Sequence, residues 1–483
     1  MANIYWQQFN GLSDSLFSGI KNSFYKMVGI DIHSQPGALT VNQKLTKHSG
    51  TTITAFCRVA VSVNDGSKLW FSYTDGKIWR ESGGTYTLVY TTSPTAGGAG
   101  CLGAEEYNGY IYWATQSKLH RISIANIATA QNWTDNAAPN WQTFSITDSE
   151  FHPMKVQNQT LFIGDGNYVA SVDSAASFTA NALDLVAPKR IKCMKPDDID
   201  LLLGTIIVKT VNECEVVRWD TVQTSWQYSY PIPENGVNAF FENKNPLTAQ
   251  CGTSGRIYYY DGESFKPFKQ IPGTWKPTKY GEVYPSAVGN FKGIPIFAFS
   301  NSPDAANSDG NPADQGIYSL GNYSKDYPLV LSGPDFVISQ NKVATIEIGA
   351  ILVEGTDLYC SWRDDTAYGV DKLDWAAKYA SAYLETLVIN PDLQGLTTFL
   401  KCFANYQSLP SGCSLTFKTK ATHAASYTSQ TTIDDTILKQ LYVENSIDGR
   451  CFQLRIEFTI SGNDAPVIEC FGIGLANQPE QQP

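Results

Sequence analysis

The stretch LWFSYTDGKIW, residues 69–79, decides the prediction of the fold. The apolar run Leu69-Trp70-Phe71-Ser72 is followed by the polar turn Thr74-Asp75-Gly76 and then by the apolar pair Ile78-Trp79. Two apolar segments separated by a short turn rich in Gly, Asp or Asn are typical of a β-hairpin. We therefore predict two antiparallel strands joined at this turn.

Six further stretches repeat the pattern, with Gly, Asp, Asn, Ser or Thr in the turns. The seven hairpins lie within residues 69–79, 110–122, 161–172, 206–219, 250–260, 296–320 and 351–362. The first apolar residues of their second strands are Ile78, Leu119, Val169, Val216, Ile257, Ile317 and Leu358, at intervals of 41, 50, 47, 41, 60 and 41 residues. Because a four-stranded propeller blade takes about 40–50 residues, the spacing predicts an all-β chain with a seven-bladed β-propeller over residues 41–375. Stacked β-sandwiches, or a propeller with one blade more or fewer, remain alternatives.

The interval of 60 residues contains a polar insertion, Asn301 to Gln315. We expect it to be an exposed, mobile loop. Its oxygen-bearing residues between Asp304 and Asp314 loosely resemble a calcium loop, but they lack the terminal bidentate Glu of an EF-hand. We therefore interpret the insertion as a loop without a metal.

Residues 376–483 have a different pattern. Between Arg450 and Ile460, apolar and polar residues alternate with a period of two, as in a half-buried strand. Further strand candidates occupy residues 383–389, 399–404, 415–417 and 467–473. These segments predict a C-terminal β-sandwich or jelly roll, and the preceding stretch from Asp371 to Ala382 is expected to be a short helix or a linker.

Residues 1–40 are predicted to form an N-terminal arm. Gly19 to Val28 is a helix candidate, and Asp31 to Thr40 is expected to be extended with a turn at Pro36-Gly37. The arm carries many apolar residues, and exposed apolar patches commonly mark interfaces. It is therefore expected to contact a neighbouring subunit, and the alternative is that it folds back onto its own propeller.

Composition excludes several classes of protein. Aromatic residues make up 12% of the 483 residues and charged residues 17%, which favours strands over solvated amphipathic helices. The net charge of −11 argues against a general nucleic-acid binder, which needs a basic surface. The N-terminus lacks the basic and apolar regions of a signal peptide, and no apolar run is long enough to span a bilayer. We expect a protein that folds in a cytoplasm.

No motif predicts a metal site, a cofactor or a catalytic centre. The ten cysteines are scattered without a CxxC pair and are interpreted as buried free thiols. No two histidines have metal-ligand spacing, and the sequence lacks a Walker A loop, a GxGxxG motif at a predicted strand–helix junction and a GxSxG elbow. The histidines are His33, His48, His120, His152 and His423. His120 lies between Leu119 and Arg121 and is interpreted as a packed structural residue.

Enzymatic glycan cleavage is the main catalytic alternative for a propeller. Ser72 to Trp79 contains the residues of the sialidase surface motif, but their spacing differs and the motif does not recur. Carboxylate doublets could supply an acid and a base, but neighbours in a strand point to opposite faces. The doublets are Glu105-Glu106, Asp197-Asp198, Asp364-Asp365 and Asp434-Asp435. We therefore predict a protein that is not an enzyme.

The order of the segments resembles a known family. An arm with Asp31-Ile32-His33-Ser34-Gln35-Pro36-Gly37-Ala38-Leu39 precedes the predicted propeller, and the predicted sandwich contains the strands Phe452 to Glu457 and Pro466 to Cys470. This arrangement resembles the virion tail proteins of tailed bacteriophages, and in particular the tail hub or nozzle proteins of short-tailed phages. The resemblance covers the whole chain at the level of architecture and carries over no functional residue.

The resemblance implies a ring of subunits, commonly six, that is joined to portal and adaptor proteins in the virion tail after assembly in the host cytoplasm. Such a ring lines the channel through which DNA leaves the virion, and double-stranded DNA passes through this channel without specific binding. An acidic wall suits that role because it repels DNA. The alternatives are a receptor-binding or baseplate propeller at a phage tail tip, and a propeller that binds glycans or protein partners.

Overall fold

The structure of the protein is a computed structural model, which describes residues 2–13, 15, 19, 21–93, 100–207, 212–243, 246–271, 281–301, 316–321, 329–340, 346–390, 397–421, 426–437 and 439–477. Apart from a 3-10 turn at Ile124–Asn126 and the short helix α1 at Ala130–Asn136, the regular elements of the described part are strands. Thr129 caps α1, since its side chain accepts a hydrogen bond from the backbone N–H of Asn132. The all-β prediction is confirmed. None of the described helices has the length and apolar character needed to cross a lipid bilayer.

The N-terminal part contributes five strands to three different regions of the molecule. They are β1 (Ala2–Trp6), β2 (Phe24–Val28), β3 (Ile30–Asp31), β4 (Thr40–Val41) and β5 (Gln43–Lys47). β3 pairs with β4. The predicted turn between them is present at Pro36 and Gly37, and Gly37 adopts φ 83° there, a value that favours glycine.

Seven antiparallel sheets, numbered 1 to 7, then follow one another in the described part of the chain. Sheet 1 contains β6 (Cys57–Ser62), β7 (Lys68–Ser72), β8 (Lys77–Ser82) and β9 (Thr85–Thr91). Sheet 2 contains β10 (Gly103–Tyr107), β11 (Tyr110–Ala114), β12 (Lys118–Ser123) and β13 (Ala138–Thr143). Sheet 3 contains β14 (Met154–Gln157), β15 (Thr160–Asp165), β16 (Tyr168–Val172) and β17 (Phe178–Asp184). Sheet 4 contains β18 (Lys189–Asp197), β19 (Asp200–Ile207), β20 (Cys214–Trp219) and β21 (Tyr228–Ile232).

Sheets 5 to 7 continue the series. Sheet 5 contains β22 (Val237–Phe240), β23 (Thr248–Cys251), β24 (Arg256–Tyr260) and β25 (Phe265–Gln270). Sheet 6 contains β26 (Gly281–Glu282), β27 (Val288–Phe291), β28 (Ile294–Asn301), β29 (Gly316–Gly321) and β30 (Val330–Phe336). Sheet 7 contains β31 (Ile346–Glu354), β32 (Asp357–Asp364) and β33 (Ala367–Lys378), and its fourth strand is β5 from the N-terminal part.

Each predicted hairpin corresponds to two consecutive antiparallel strands within one of these sheets. In sheet 1, Trp70 of β7 lies opposite Trp79 of β8, and both are fully buried. Large aromatic side chains in the second and third strands supply much of the buried apolar area, which stabilises the fold.

Apolar clusters lie between consecutive sheets. One cluster joins sheets 1 and 2 around Trp113, whose ring centroid is 5.5 Å from that of Trp133. Others join sheets 2 and 3, sheets 3 and 4, and sheets 4 and 5. Phe241, directly after β22 of sheet 5, stacks on Phe297 of sheet 6 at 4.4 Å. Ile348 N–H of sheet 7 donates a 2.8 Å hydrogen bond to Ser300 Oγ of sheet 6, and a further cluster joins sheet 7 to sheet 1. The series of sheet contacts therefore returns to its starting point.

The C-terminal part forms two more sheets, numbered 8 and 9, with help from the N-terminus. Its strands are β34 (Tyr383–Thr386), β35 (Thr397–Tyr406), β36 (Ser414–Lys420), β37 (Thr428–Ile433), β38 (Gln440–Gly449), β39 (Gln453–Thr459) and β40 (Ile468–Asn477). Sheet 8 has the order β1-β40-β35-β38, and sheet 9 has the order β2-β34-β39-β36-β37. The predicted alternation is present in β39, where Leu454, Ile456 and Phe458 are buried.

Two local predictions are wrong. The helix candidate Gly19 to Val28 contains the strand β2, which pairs with β34 and buries Phe24 and Met27. The stretch after Asp371 is neither helix nor linker, because β33 continues to Lys378 and pairs with β5. In both cases a partner strand far away in the sequence determines the local conformation.

The domain boundaries after residues 40 and 375 stay predictions, although β33 continues across the second boundary. The polar insertion lies outside the described residues apart from Asn301 at the end of β28, and so does its calcium-like segment.

Candidate functional site

The seven sheets together line one pocket of about 320 Å³, which we call the central channel. Each of the seven sheets, or the loop next to it, contributes to its wall. Representative lining residues, in the order of sheets 1 to 7, are Arg58, Glu105, Lys155, Lys192, Glu242, Tyr284 and Ile351. Since one water molecule occupies about 30 Å³ in the liquid, the channel has room for about ten waters.

Arg58 is held between two aromatic rings. Its guanidinium carbon lies 4.0 Å from the ring centroid of Tyr73 and 3.9 Å from that of Tyr284. The Tyr284 hydroxyl donates a hydrogen bond of 3.0 Å to Glu347, and burial raises the pKa of Tyr284. Such cation–π contacts contribute about 2 kcal/mol when they are desolvated, so Arg58 stabilises the packing of sheet 1 against the loop that precedes β27.

Glu105 and Lys155 face the same channel from sheets 2 and 3. Burial raises the pKa of Glu105, and the positive charge of Lys155 opposes that shift. The neighbouring carboxylate, Glu106, accepts a hydrogen bond of 2.9 Å from the backbone N–H of Asn64. The two members of this doublet therefore act in different places and do not form an acid–base pair.

Lys192 is the centre of a buried polar network. Its ammonium group lies 3.0 Å from the Glu282 carboxylate and donates a 2.7 Å hydrogen bond to Asn238 Oδ1. Asn238 in turn donates to Gln250 Oε1 at 2.8 Å. The side chains of Lys192 and Glu282 are only 6% and 7% exposed, so this ion pair joins sheets 4, 5 and 6 away from solvent.

The chemistry of the channel is that of a balanced polar core. Cationic and anionic side chains lie close together around it, so the wall has no continuous basic surface of the kind that grips a nucleic acid. In the described part of the chain, no group of three or more His, Cys, Asp or Glu residues could hold a metal ion. Sequence reasoning missed this site. The available signal was a charged residue in the first strand of each of sheets 1 to 4, directly before the predicted hairpins.

The Lys192→Ala variant is expected to lower the free energy of unfolding by about 3–5 kcal/mol, because it leaves the buried Glu282 charge uncompensated. The double variant Lys192→Met/Glu282→Leu should recover much of that loss. Lys266→Ala is the control, since its partner Asp261 is 3.6 Å away and Lys266 is 52% exposed; it should cost less than about 1 kcal/mol. Urea denaturation of the four proteins measures these differences, and equal losses in both single variants would contradict the role of the network.

His48, His120 and His152 lie outside the junction region and have structural partners. His48 lies 3.2 Å from the Tyr86 hydroxyl. His120 stacks on Trp113, as its interpretation as a packed residue requires. His152 is buried between the carbonyl oxygens of Gly164 and Gln116, at 2.7 and 3.0 Å. His33 lies in a second pocket, treated below, and His423 falls outside the described residues.

The remaining carboxylate doublets also have structural roles. Asp197 binds Arg218 at 3.0 Å, while Asp198 adopts a positive φ at a turn. Asp364 is buried at the end of β32, and Asp365 occupies the next turn. Asp435 accepts a 2.7 Å hydrogen bond from the backbone N–H of Ile437, and its neighbour Asp434 is exposed.

The sialidase-like stretch is a hairpin turn. Ser72 Oγ accepts hydrogen bonds from the backbone N–H groups of Thr74 and Asp75 at 3.3 and 3.2 Å. Asp75 pairs with Lys77 at 2.9 Å. These contacts account for the residue types of the motif by turn formation.

No family model matches the sequence, and no curated protein matches it. Among solved structures, the extracellular domain of a hybrid two-component system from B. thetaiotaomicron is 13% identical, with a TM-score of 0.47 over 77% of this chain and 44% of that chain. U3-55K is 11% identical, with a TM-score of 0.47 over 68% and 98% of the two chains. The Dos1 propeller is 10% identical, with a TM-score of 0.41 over 68% and 94%. This chain thus spans less than half of the first of these structures. The neighbours are β-propeller proteins, and at these identities and scores the similarity has no bearing on function.

Proposed function

We propose that the chain is a structural subunit of a bacteriophage tail, in which a seven-bladed propeller and a C-terminal β-sandwich form one rigid building block. Sheets 1 to 7 would be the blades, and β5 would close the ring by completing the last of them. Sheets 8 and 9 would be the two layers of the sandwich. Trp6 of sheet 8 stacks on Phe471 at 5.0 Å, and Phe24 of sheet 9 lies 6.1 Å from the same ring, as expected for two facing layers.

The rigid joint between the two parts is the observation that carries this proposal. One continuous apolar cluster includes residues of sheets 5, 6 and 7, of the N-terminal strands and of sheets 8 and 9. Backbone hydrogen bonds cross the joint as well: Leu12 N–H donates to Leu331 at 2.7 Å, and Gly29 N–H donates to Pro334 at 2.8 Å. A large apolar interface restrains the relative motion of two domains, which suits a subunit of a fixed assembly better than a module on a flexible linker.

The DNA path of this proposal lies between subunits. The central channel holds about ten waters, and a duplex has a major groove that alone is about 12 Å wide. In this proposal the exit channel is the central opening of a ring of copies, commonly six, that is attached to portal and adaptor proteins. The net charge of −11 favours passage of DNA over binding.

Electron microscopy and mass photometry of the purified full-length protein test the ring, and antibody labelling of particles of the encoding phage tests the location. We expect closed rings with a central opening and label at the tail. A protein that stays monomeric and is absent from particles would refute the proposal. Trimers or peripheral label, together with binding to host cells, would favour the receptor-binding alternative instead.

A further inference from the structure

A second pocket, which we call the junction pocket, lies where the N-terminal segment meets sheets 6 and 7. Its volume is about 180 Å³, which corresponds to about six water molecules. Aromatic side chains of sheets 6 and 7 form one part of its wall, namely Phe291, Phe336 and Trp375. Residues of the N-terminal segment supply the polar part: Asp31, His33, Asn42 and Gln43.

A hydrogen-bonded chain fixes the polar side of the pocket. His33 Nε2 lies 2.8 Å from Ser319 Oγ, and Ser332 Oγ donates a 2.7 Å hydrogen bond to the buried Asp335. Burial raises the pKa of Asp335 to about 7 and lowers the pKa of His33. Asp31 accepts hydrogen bonds from the backbone N–H groups of His33 and Ser34 at 2.8 and 3.0 Å. The position of His33 is therefore set before any ligand arrives.

Two amide side chains in this pocket have no hydrogen-bond partner among the described residues. Asn42 is 7% exposed, yet neither its side chain nor that of Gln43 takes part in any hydrogen bond within the described residues. A buried amide such as that of Asn42 is nearly always hydrogen-bonded, and Gln43 beside it is half-buried. Each amide offers both a donor and an acceptor, so the pair fits a ligand with several hydroxyl groups.

The wall of the junction pocket carries charges of both signs. The carboxyl groups of Asp31 and Asp335 disfavour an anion, and the ammonium group of Lys292, 4.3 Å from the Trp375 ring centroid, disfavours a cation. Lys378 adds a second positive charge that interacts with Asp31. With charges of both signs nearby, the pocket has no strong preference for an anion or a cation, which suits a neutral polar molecule.

We propose that the junction pocket binds one neutral sugar ring, with its apolar face against the aromatic part of the wall formed by Phe291, Phe336 and Trp375, and with its hydroxyl groups on Asn42, Gln43 and Asp31. An aromatic platform beside convergent amide and carboxylate groups matches the two-sided character of a pyranose, and six waters of space admit a single ring. The ligand is either a free monosaccharide or the terminal unit of a surface glycan. This inference does not depend on the tail assignment.

Saturation-transfer NMR of the full-length protein with glucose, galactose and N-acetylglucosamine tests the proposal. Lactose, maltose and chitobiose form a second arm, since only a pocket that accepts a terminal unit transfers saturation to them. We expect binding of at least one of the three monosaccharides with a dissociation constant of about 1 mM, as for a ligand of this size. Signals from the disaccharides would identify a glycan end as the source, and signals from monosaccharides alone would identify a free sugar.

Variants assign any signal to the pocket. Trp375→Ala and Gln43→Leu should each weaken binding at least tenfold, and Gln43→Leu keeps a side chain of similar size in β5. Tyr228→Ala is the matched control, because Tyr228 is a 63% exposed aromatic residue of sheet 4, and it should leave binding unchanged. Circular dichroism verifies that each variant is folded. Absence of binding to every sugar, or equal binding by wild type and both pocket variants, would overturn the proposal.

Discussion

Deletion of residues 1–30 is expected to abolish cooperative folding, and not merely to prevent assembly. Those residues supply β1 to sheet 8 and β2 to sheet 9. Phe9, Phe24 and Met27 are at most 1% exposed, and Trp6 is 6% exposed. Removal of one large core side chain costs about 3–5 kcal/mol, and the stability of a typical domain is about 5–15 kcal/mol. Loss of four such side chains together exceeds that margin.

Point variants in β1 separate folding from assembly. Trp6→Ala should lower the free energy of unfolding by about 3–5 kcal/mol. The neighbouring residue Tyr5 is 43% exposed, and its ring centroid lies 4.9 Å from that of Phe403. Tyr5→Ala should therefore lower the free energy of unfolding by only about 1 kcal/mol. Urea denaturation measures both. A truncated protein with the thermal transition of the wild type would restore the expectation that the arm contacts a neighbouring subunit. In the structure, its large apolar side chains are instead buried within the same chain.

The sequence predicts the hairpins of the sheets well because their signals are local. A turn such as Thr74-Asp75-Gly76 and the alternation in β39 depend on residues within about ten positions of each other. β2 differs, because Phe24 pairs with Thr386 across most of the chain. In β33, the buried carboxylate of Asp371 accepts hydrogen bonds from the Ser339 backbone N–H and the Trp362 indole N–H. A period-two pattern in the sequence cannot reveal these partners.

The channel and the junction pocket were not predictable for a related reason. Arg58 and Lys192 lie in different strands, and a single charged residue in a strand ordinarily indicates a solvated face. Only closure of the series of sheets places Arg58 between Tyr73 and Tyr284. The junction pocket likewise needs Asn42 and Trp375 to meet, and they come from opposite ends of the predicted propeller.

His120 is expected to make the protein sensitive to acid. Its Nδ1 accepts a 3.0 Å hydrogen bond from the backbone N–H of Asn140, and its Nε2 lies 3.1 Å from Thr115 Oγ1. Protonation of Nδ1 would break the first of these bonds in a site without solvent. Burial and, to a smaller extent, the nearby charge of Lys118 accordingly lower the pKa of His120 from the ordinary value of 6.5 to about 4.

Between pH 6.5 and pH 4 the unfolded chain therefore binds a proton at His120 that the folded chain excludes, so the stability from this group is complete above pH 6.5 and is lost as the pH falls. At 1.36 kcal/mol per pKa unit, the loss on going to pH 4 is about 3 kcal/mol. Urea denaturation at several pH values should show this loss of stability in the wild type. In His120→Gln the loss should be smaller by about 3 kcal/mol.

His48→Gln is the control, because His48 is only partly buried and its removal should leave most of the acid sensitivity in place. His152, whose pKa burial also lowers to about 4, accounts for part of what remains in His120→Gln. Identical pH profiles for the wild type and His120→Gln would show that the folded protein accepts the proton at this site, and that the contact with Asn140 does not hold the ring neutral.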